Sequence, residues 1–265
     1  MLTVFLTYCG VGAIAGFLAG LLGIGGGLVI VPMLIYVMGN QGVSSEVLMH
    51  MALGTSMASI MFTSVSSFMA HHRRGAVRWE VVRRIVIGIF TGTFLGSCFA
   101  AAMSTGFLKG FFCVFLYVVA TQLLMNKKPK ASRNLPGSLG MFAAGNIIGG
   151  VSSLMGIGGG TMSVPFMVWC NIPIHHAIGT SAAIGLPIAV AGTVGYVYNG
   201  MGLAGLPAYS IGYINLPALF GIACISMLTA PLGVGLAHRL PVDKLKRVFA
   251  VLLYGVGTKM LAGLF

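Results

Sequence analysis

The sequence predicts an all-α polytopic membrane protein of about eight hydrophobic helical segments in two homologous halves. Three observations carry this. Of 265 residues, 57% are hydrophobic and 7% charged, and the mean hydropathy is +1.00. Apolar runs of membrane-spanning length follow one another almost end to end, whereas a transmembrane barrel would alternate polar and apolar residues. The stretch Gly23-Ile24-Gly25-Gly26-Gly27 recurs as Gly156-Ile157-Gly158-Gly159-Gly160, and each copy has a proline at the same distance, Pro32 and Pro165.

The first segment runs from Leu2 to Leu22, with Gly12, Gly16 and Gly20 on one helix face. No Lys or Arg precedes Arg73, so the segment lacks the basic start of a cleaved leader and reads as a retained membrane helix. The glycine run should interrupt the helix and leave a short apolar piece, Leu28 to Met38. Segment 2 (Val47–Ala70) contains Ala52-Leu53-Gly54-Thr55-Ser56. A loop from His71 to Arg84 carries five arginines. Segment 3 (Ile85–Met103) repeats the glycine spacing at Gly88, Gly92 and Gly96, and segment 4 runs from Phe107 to Met125.

Residues 127–138 form a basic central linker between a first repeat, 1–126, and a second, 139–265. Segment 5 (Leu139–Met155) precedes the second glycine run and the short piece Thr161–Cys170. Segment 6 (His175–Tyr198) contains Ala177-Ile178-Gly179-Thr180-Ser181. An uncharged Gly/Pro-rich loop, Asn199–Gly212, leads to segment 7 (Leu216–Leu236). The basic loop His238–Arg247 leads to segment 8 (Val242–Leu264).

Charge placement orients the halves. The loop after segment 2 has five Arg and its counterpart after segment 6 has none. The loop after segment 3 has only Lys109, whereas its counterpart after segment 7 has Arg239, Lys244, Lys246 and Arg247. Basic loops stay in the cytoplasm, so equivalent loops lie on opposite sides and the repeats are inverted. Each glycine-broken region must then contribute an even number of crossings, as a re-entrant hairpin or as two crossings with a short second helix. The net charge of +12 follows from these loops, which orient the chain and meet anionic lipid, and does not point to nucleic acid.

Matched helix breaks in the two halves of a membrane protein mark a substrate site near the midplane. A half-helix starting near Leu28 or Thr161 offers free N–H groups and a positive dipole end to an anion. Gly25, Gly26, Gly27, Gly158, Gly159 and Gly160 are therefore candidate substrate-binding positions. Thr55, Ser56, Thr180 and Ser181 are candidates to line the same site, although hydroxyls in membrane helices commonly bond backbone. His50 and His175 occupy equivalent positions and are candidates for proton or substrate contact. Almost no carboxylate lies inside the spans, which disfavours a cation pathway. The five cysteines lack metal-ligand spacing, and no nucleophile–base pair stands out. No metal, cofactor or enzymatic activity is expected.

The chain resembles the TauE/SafE, or sulfite exporter, family of membrane permeases. The resemblance rests on the duplicated Gly-Ile-Gly-Gly-Gly with its proline and on Ala-x-Gly-Thr-Ser in both halves. It also rests on Gly212-Tyr213-Ile214-Asn215-Leu216-Pro217-Ala218, Ala230-Pro231-Leu232-Gly233 and Arg239-Leu240-Pro241. It implies a multi-pass protein of the plasma (inner) membrane that moves a small anion, a sulfur-containing one such as sulfite or an organosulfonate, outward. The alternatives are an uptake permease or facilitator for another small anion, and a membrane-embedded sulfur-relay protein using Cys170.

Overall fold

The computed structural model describes residues 2–23, 25–125, 134–203, 205–237 and 242–262. The helices are α1 (Leu2–Leu22), α2 (Gly27–Asn40), α3 (Ser45–His72), α4 (Trp79–Ala102), α5 (Thr105–Met125), α6 (Ser138–Met155), α7 (Gly160–Trp169), α8 (Ile174–Gly200), α9 (Leu216–Ala237) and α10 (Val242–Ala262). Seven of them, α1, α3, α4, α5, α6, α8 and α9, are long and apolar enough to cross a membrane. The chain is a multi-pass α-helical membrane protein, and both glycine runs break its helices as the sequence predicts. The basic residues Lys127, Lys128, Lys130 and Arg133, the loop position Ala204 and the loop residues 238–241 lie outside the described residues.

Two expectations need correction. The arginine-rich loop is shorter than His71–Arg84, because α4 already begins at Trp79. The ring of Trp79 meets those of His72 and Phe68, and Arg84 pairs with Glu80 one turn before it at 2.7 Å, so the first turn is held on both faces. The loop expected at Asn199–Gly212 is also shorter. Helix α8 runs to Gly200, and Ser210–Ile211 (β1) pairs antiparallel with Ile214–Asn215 (β2) just before α9.

Helices α3 and α8 form the centre. Their most apolar windows are 83% and 72% buried, against 33–44% for the other spans. They run antiparallel: Gly54 lies beside Tyr196, Met57 packs on Gly192, and Ser64 faces Gly185. Two parallel pairs flank them. Gly12, Gly16 and Gly20 of α1 approach the backbone of Ile222, Ser226 and Ala230 of α9, while Gly88 and Gly92 of α4 approach Phe142 and Asn146 of α6. Without a hydrophobic drive between helices in lipid, such small-residue faces let backbones close up and gain dispersion contact. Helices α5 and α10 run antiparallel, joined by Tyr117–Thr258 (2.9 Å) and Thr121–Tyr254 (2.6 Å) hydroxyl pairs.

Further bonds fix the directions. His71 at the end of α3 meets the Gly20 carbonyl near the end of α1, and Thr63 meets Ser226, so α1, α3 and α9 run the same way. Thr105 donates to the Glu46 carbonyl, so α5 starts where α3 starts. The Tyr8 hydroxyl meets Gln41 at 3.4 Å, which returns α2 to the starting end of α1. Arg73, Arg74 and Arg78 therefore lie at the end where α5 and α9 finish; this is called the arginine end below.

The close crossings make a specific demand. A Cβ on Gly92 would collide with the Asn146 backbone, whereas one on Gly110 meets nothing within 4 Å. Overpacking a tight contact costs about 1–3 kcal/mol. The variant Gly92→Ala should melt about 5 °C below the parent in detergent, at roughly 2–4 °C per kcal/mol for a chain of this size. Gly110→Ala should match or exceed the parent. Equal melting of the two variants would remove the close-packing account.

Candidate functional site

Each long helix that enters a glycine run is terminated by a glycine with positive φ. Gly23 has φ 69° after α1, and Gly156 has φ 61° after α6. This is the usual way to stop a helix, because a side chain resists that conformation. The half-helices then start from Gly26 (φ 78°) and Gly159 (φ 75°). Neither start carries a side-chain cap. Their bonding begins with Val29 and Ile30 donating to Gly26 and with Met162 and Ser163 donating to Gly159. The N–H groups of the residues just before these, Gly27, Leu28, Gly160 and Thr161, are therefore left over by the helices themselves.

The two breaks meet. A Cβ on Gly25 would lie 2.8 Å from the Gly158 Cα, and one on Gly158 would lie 3.0 Å from the Gly25 Cα. The Ile60 Cγ2 would be 3.3 Å from either added carbon, so one methyl group of α3 covers both glycines. Gly27 packs on the backbone of Gly156 and Ile157, Gly26 backs onto the Ala15 carbonyl, and Gly159 backs onto Ile188.

The Gly-Thr-Ser motifs tie the breaks together. Ser56 Oγ donates to the Gly156 carbonyl at 2.7 Å, and Ser181 Oγ donates to the Gly23 carbonyl at 3.0 Å. Each serine thus bonds the end of the broken helix in the other half of the chain. Thr55 Oγ1 accepts from the Asn215 N–H, and Thr180 Oγ1 accepts from the Arg78 N–H, both at 2.9 Å. Asn215 and Arg78 immediately precede α9 and α4. All four hydroxyls are engaged with the protein and fully buried.

Of the sequence candidates, Gly25, Gly158 and Ser181 border a narrow crevice with no room for a water molecule. Gly26, Gly27 and Gly159 sit behind it, as packing contacts. Three hydroxyl residues that the sequence reading missed, Thr63, Ser64 and Ser67, line it as well. Their spacing from Ile60, at three, four and seven positions, is the signal that could have found them, since it places them on one face of α3. No charged residue is among the described residues that border the crevice. Elsewhere around the glycines Met57 lies on Gly192, and Ile188 and the Ser152 hydroxyl lie on Gly159.

The histidines are not at the junction. His50 Nε2 lies 3.1 Å from the carbonyls of both Ala100 and Met103, and its ring stacks on Tyr213 at 5.1 Å. It stands ten residues before Ile60, about 15 Å along the helix. His175 is in the first turn of α8, at the arginine end. Among the described residues no three of His, Cys, Asp or Glu gather as a metal site.

A bundle of membrane-spanning helices whose two broken helices meet at its centre defines a polytopic transport protein. The chain belongs to the sulfite exporter TauE/SafE family, which it matches over residues 8–260. It is 40% identical to a probable membrane transporter protein of Haemophilus influenzae, covering 98% of this chain and 99% of that protein. A probable membrane transporter protein of Methanocaldococcus jannaschii is 26% identical over 95% of this chain and 93% of that one. The relative in Bacillus subtilis called YunE is 27% identical over 71% of this chain and 77% of that one. No solved structure matches.

If the serines hold the broken ends, removing either should leave a buried carbonyl without a donor. Ser56→Ala and Ser181→Ala should each cost about 1–2 kcal/mol of stability, read as a lower melting temperature in detergent. Ser56→Thr should lose less. Unchanged melting in both alanine variants would show that the cross-bonds contribute nothing.

Proposed function

We propose that this transporter moves a small anion, a sulfur-containing oxyanion such as sulfite or an organosulfonate, outward through the junction of two inverted repeats. The repeats are residues 1–126 and 139–265, joined by the basic stretch 127–138. The observation that carries the reading is the meeting of Gly25 and Gly158 at the edge of a hydroxyl-lined crevice. Backbone N–H groups left over at two uncapped helix starts favour an anion over a cation, and no carboxylate is among the described residues lining the crevice. The family description supports the sulfur chemistry and the outward direction.

Packing supports the inverted arrangement. The pairing of α1 with α9 has its counterpart in that of α6 with α4, and corresponding helices run in opposite directions. The cross-bonds of Ser56 and Ser181 correspond in the same way. The arginine end is then cytoplasmic. His50 and His175 stand at opposite ends as candidate proton or substrate contacts for entry and exit, away from the central site.

Two measurements test this. Purified protein in proteoliposomes should exchange labelled sulfite or methanesulfonate in a counterflow panel, and Gly158→Ala should cut that exchange at least tenfold. Gly158 has no positive φ, so the added methyl acts by crowding Gly25 rather than by straining the backbone, and the loss is read as exchange per folded protein, with melting measured alongside. Exchange at the parental rate would refute the glycine junction. Separately, a cysteine replacing Leu203 should react with an impermeant thiol reagent added outside cells, and one replacing Arg78 should not. Labelling of both from outside would rule out the inverted arrangement.

A further inference from the structure

One hydroxyl that borders the crevice is unexplained. Helix α3 presents Ile60, Ser64, Ser67 and His71 on a single face that leads from the junction to the arginine end. Three of its other buried hydroxyls are bonded: Ser56 to Gly156, Ser59 to Thr55, and Thr63 to both Ser59 and Ser226. Ser67 is 2% exposed and its Oγ has no hydrogen-bond partner. A buried hydroxyl without a partner calls for an explanation. Ser59 and Thr63 satisfy themselves by donating to the carbonyl four residues back, a route open to any serine in a helix. Ser67 does not take it, and it borders the crevice instead. Ser64, one turn nearer the junction, has its Oγ against Gly185 of α8, where a Cβ would lie 2.8 Å away.

Resting on the permease reading above, we propose that Ser67, together with Ser64, is an oxyanion-binding station on the arginine side of the glycine junction, about 10 Å from it along α3. The ligand class is a small anion with several acceptor oxygens. Each hydroxyl donates one hydrogen bond, and no charged side chain is among the described residues bordering the crevice. Neutral donors suit a passage, because a site must bind well enough to admit the ion and weakly enough to release it. The crevice has no room for a water molecule as it stands, so an ion enters only when α3 and α8 separate, and a lining of Gly, Ala, Ser and Thr side chains suits a small one. Sulfite fits this class; aromatic and long-chain acids do not. Ser67 lies between the junction and the arginine end, so the station serves that face of the membrane.

Sulfite exchange in proteoliposomes tests the proposal with Ser67→Ala, Ser67→Thr and, after replacement of the five native cysteines by alanine, Ser67→Cys. Ser67→Ala should raise the KM for sulfite about tenfold, the loss expected for one hydrogen bond to an anion, and Ser67→Thr should stay near the parent. An unpartnered serine of purely structural standing predicts the opposite pattern, with unchanged KM and a higher melting temperature in Ser67→Ala. Ser67→Cys should react with an anionic methanethiosulfonate applied at the arginine end and not at the other, and sulfite should slow the reaction several-fold. A parental KM in Ser67→Ala, or modification that sulfite does not slow, overturns the station. Either result together with a Gly158→Ala variant that fails to exchange leaves the glycine junction standing. A parent that exchanges no sulfite removes both.

Discussion

A helix that stops in the packed interior of a membrane protein leaves carbonyl groups that no water can reach, and the protein has to supply their donors. In this chain two helices stop at buried glycines, Gly23 and Gly156, and the donors are Ser181 and Ser56. Much of the architecture depends on this exchange. For Ser56 to reach Gly156 and Ser181 to reach Gly23, α3 and α8 must pass directly beside the breaks, and they are the two most buried spans. The preceding threonine in each motif is turned by about 100° around the helix and reaches a different backbone group, the N–H of Asn215 or of Arg78. One dipeptide therefore fixes a helix break on one side and the start of a long helix in the other half of the chain on the other.

The glycine content serves two separate purposes. Along α1 and α4 it thins the helix surface so that α9 and α6 can lie close. At the breaks it supplies backbone angles that other residues resist, and it lets two chain reversals touch, with Gly25 against Gly158. The first purpose builds a stiff flanking pair on either side of α3 and α8. The second leaves a junction with almost no side-chain atoms, covered by a methyl group of Ile60.

The helix ends at Leu22 and Met155 were legible, because apolar length sets where a span must finish and glycine sets where it can. The extra turn of α4 was not, because Arg83 and Arg84 look like loop residues until Glu80 and Trp79 are seen beside them. The β1–β2 pair is only two residues per strand and carries no periodic signal. For the site, sequence marked the Gly-Thr-Ser motifs by their duplication, but duplication does not reveal a partner. That each serine bonds a carbonyl in the opposite half depends on how the halves interlock. Ser67 was illegible for a related reason. It has no hydroxyl counterpart in the second half, so the repeat draws no attention to it, and α3 carries several other hydroxyls.

That missing counterpart bears on how the molecule works. With the offset that aligns Ser56 with Ser181, the residues matching Thr63, Ser64 and Ser67 are Ile188, Ala189 and Gly192. The scaffold is nearly symmetric in its pairings, while the lining of its centre is not. A passage lined by hydroxyls can be wetted when α3 and α8 separate, because water can replace the bonds it interrupts. One lined by Met57, Ile60 and Ile188 loses apolar contact when it opens and regains none. In a pair of inverted repeats the two directions of opening would be close in energy if the lining were symmetric. If the two sides open in turn, the difference between Ser64 and Ser67 on α3 and Ala189 and Gly192 on α8 would make the two openings unequal in energy.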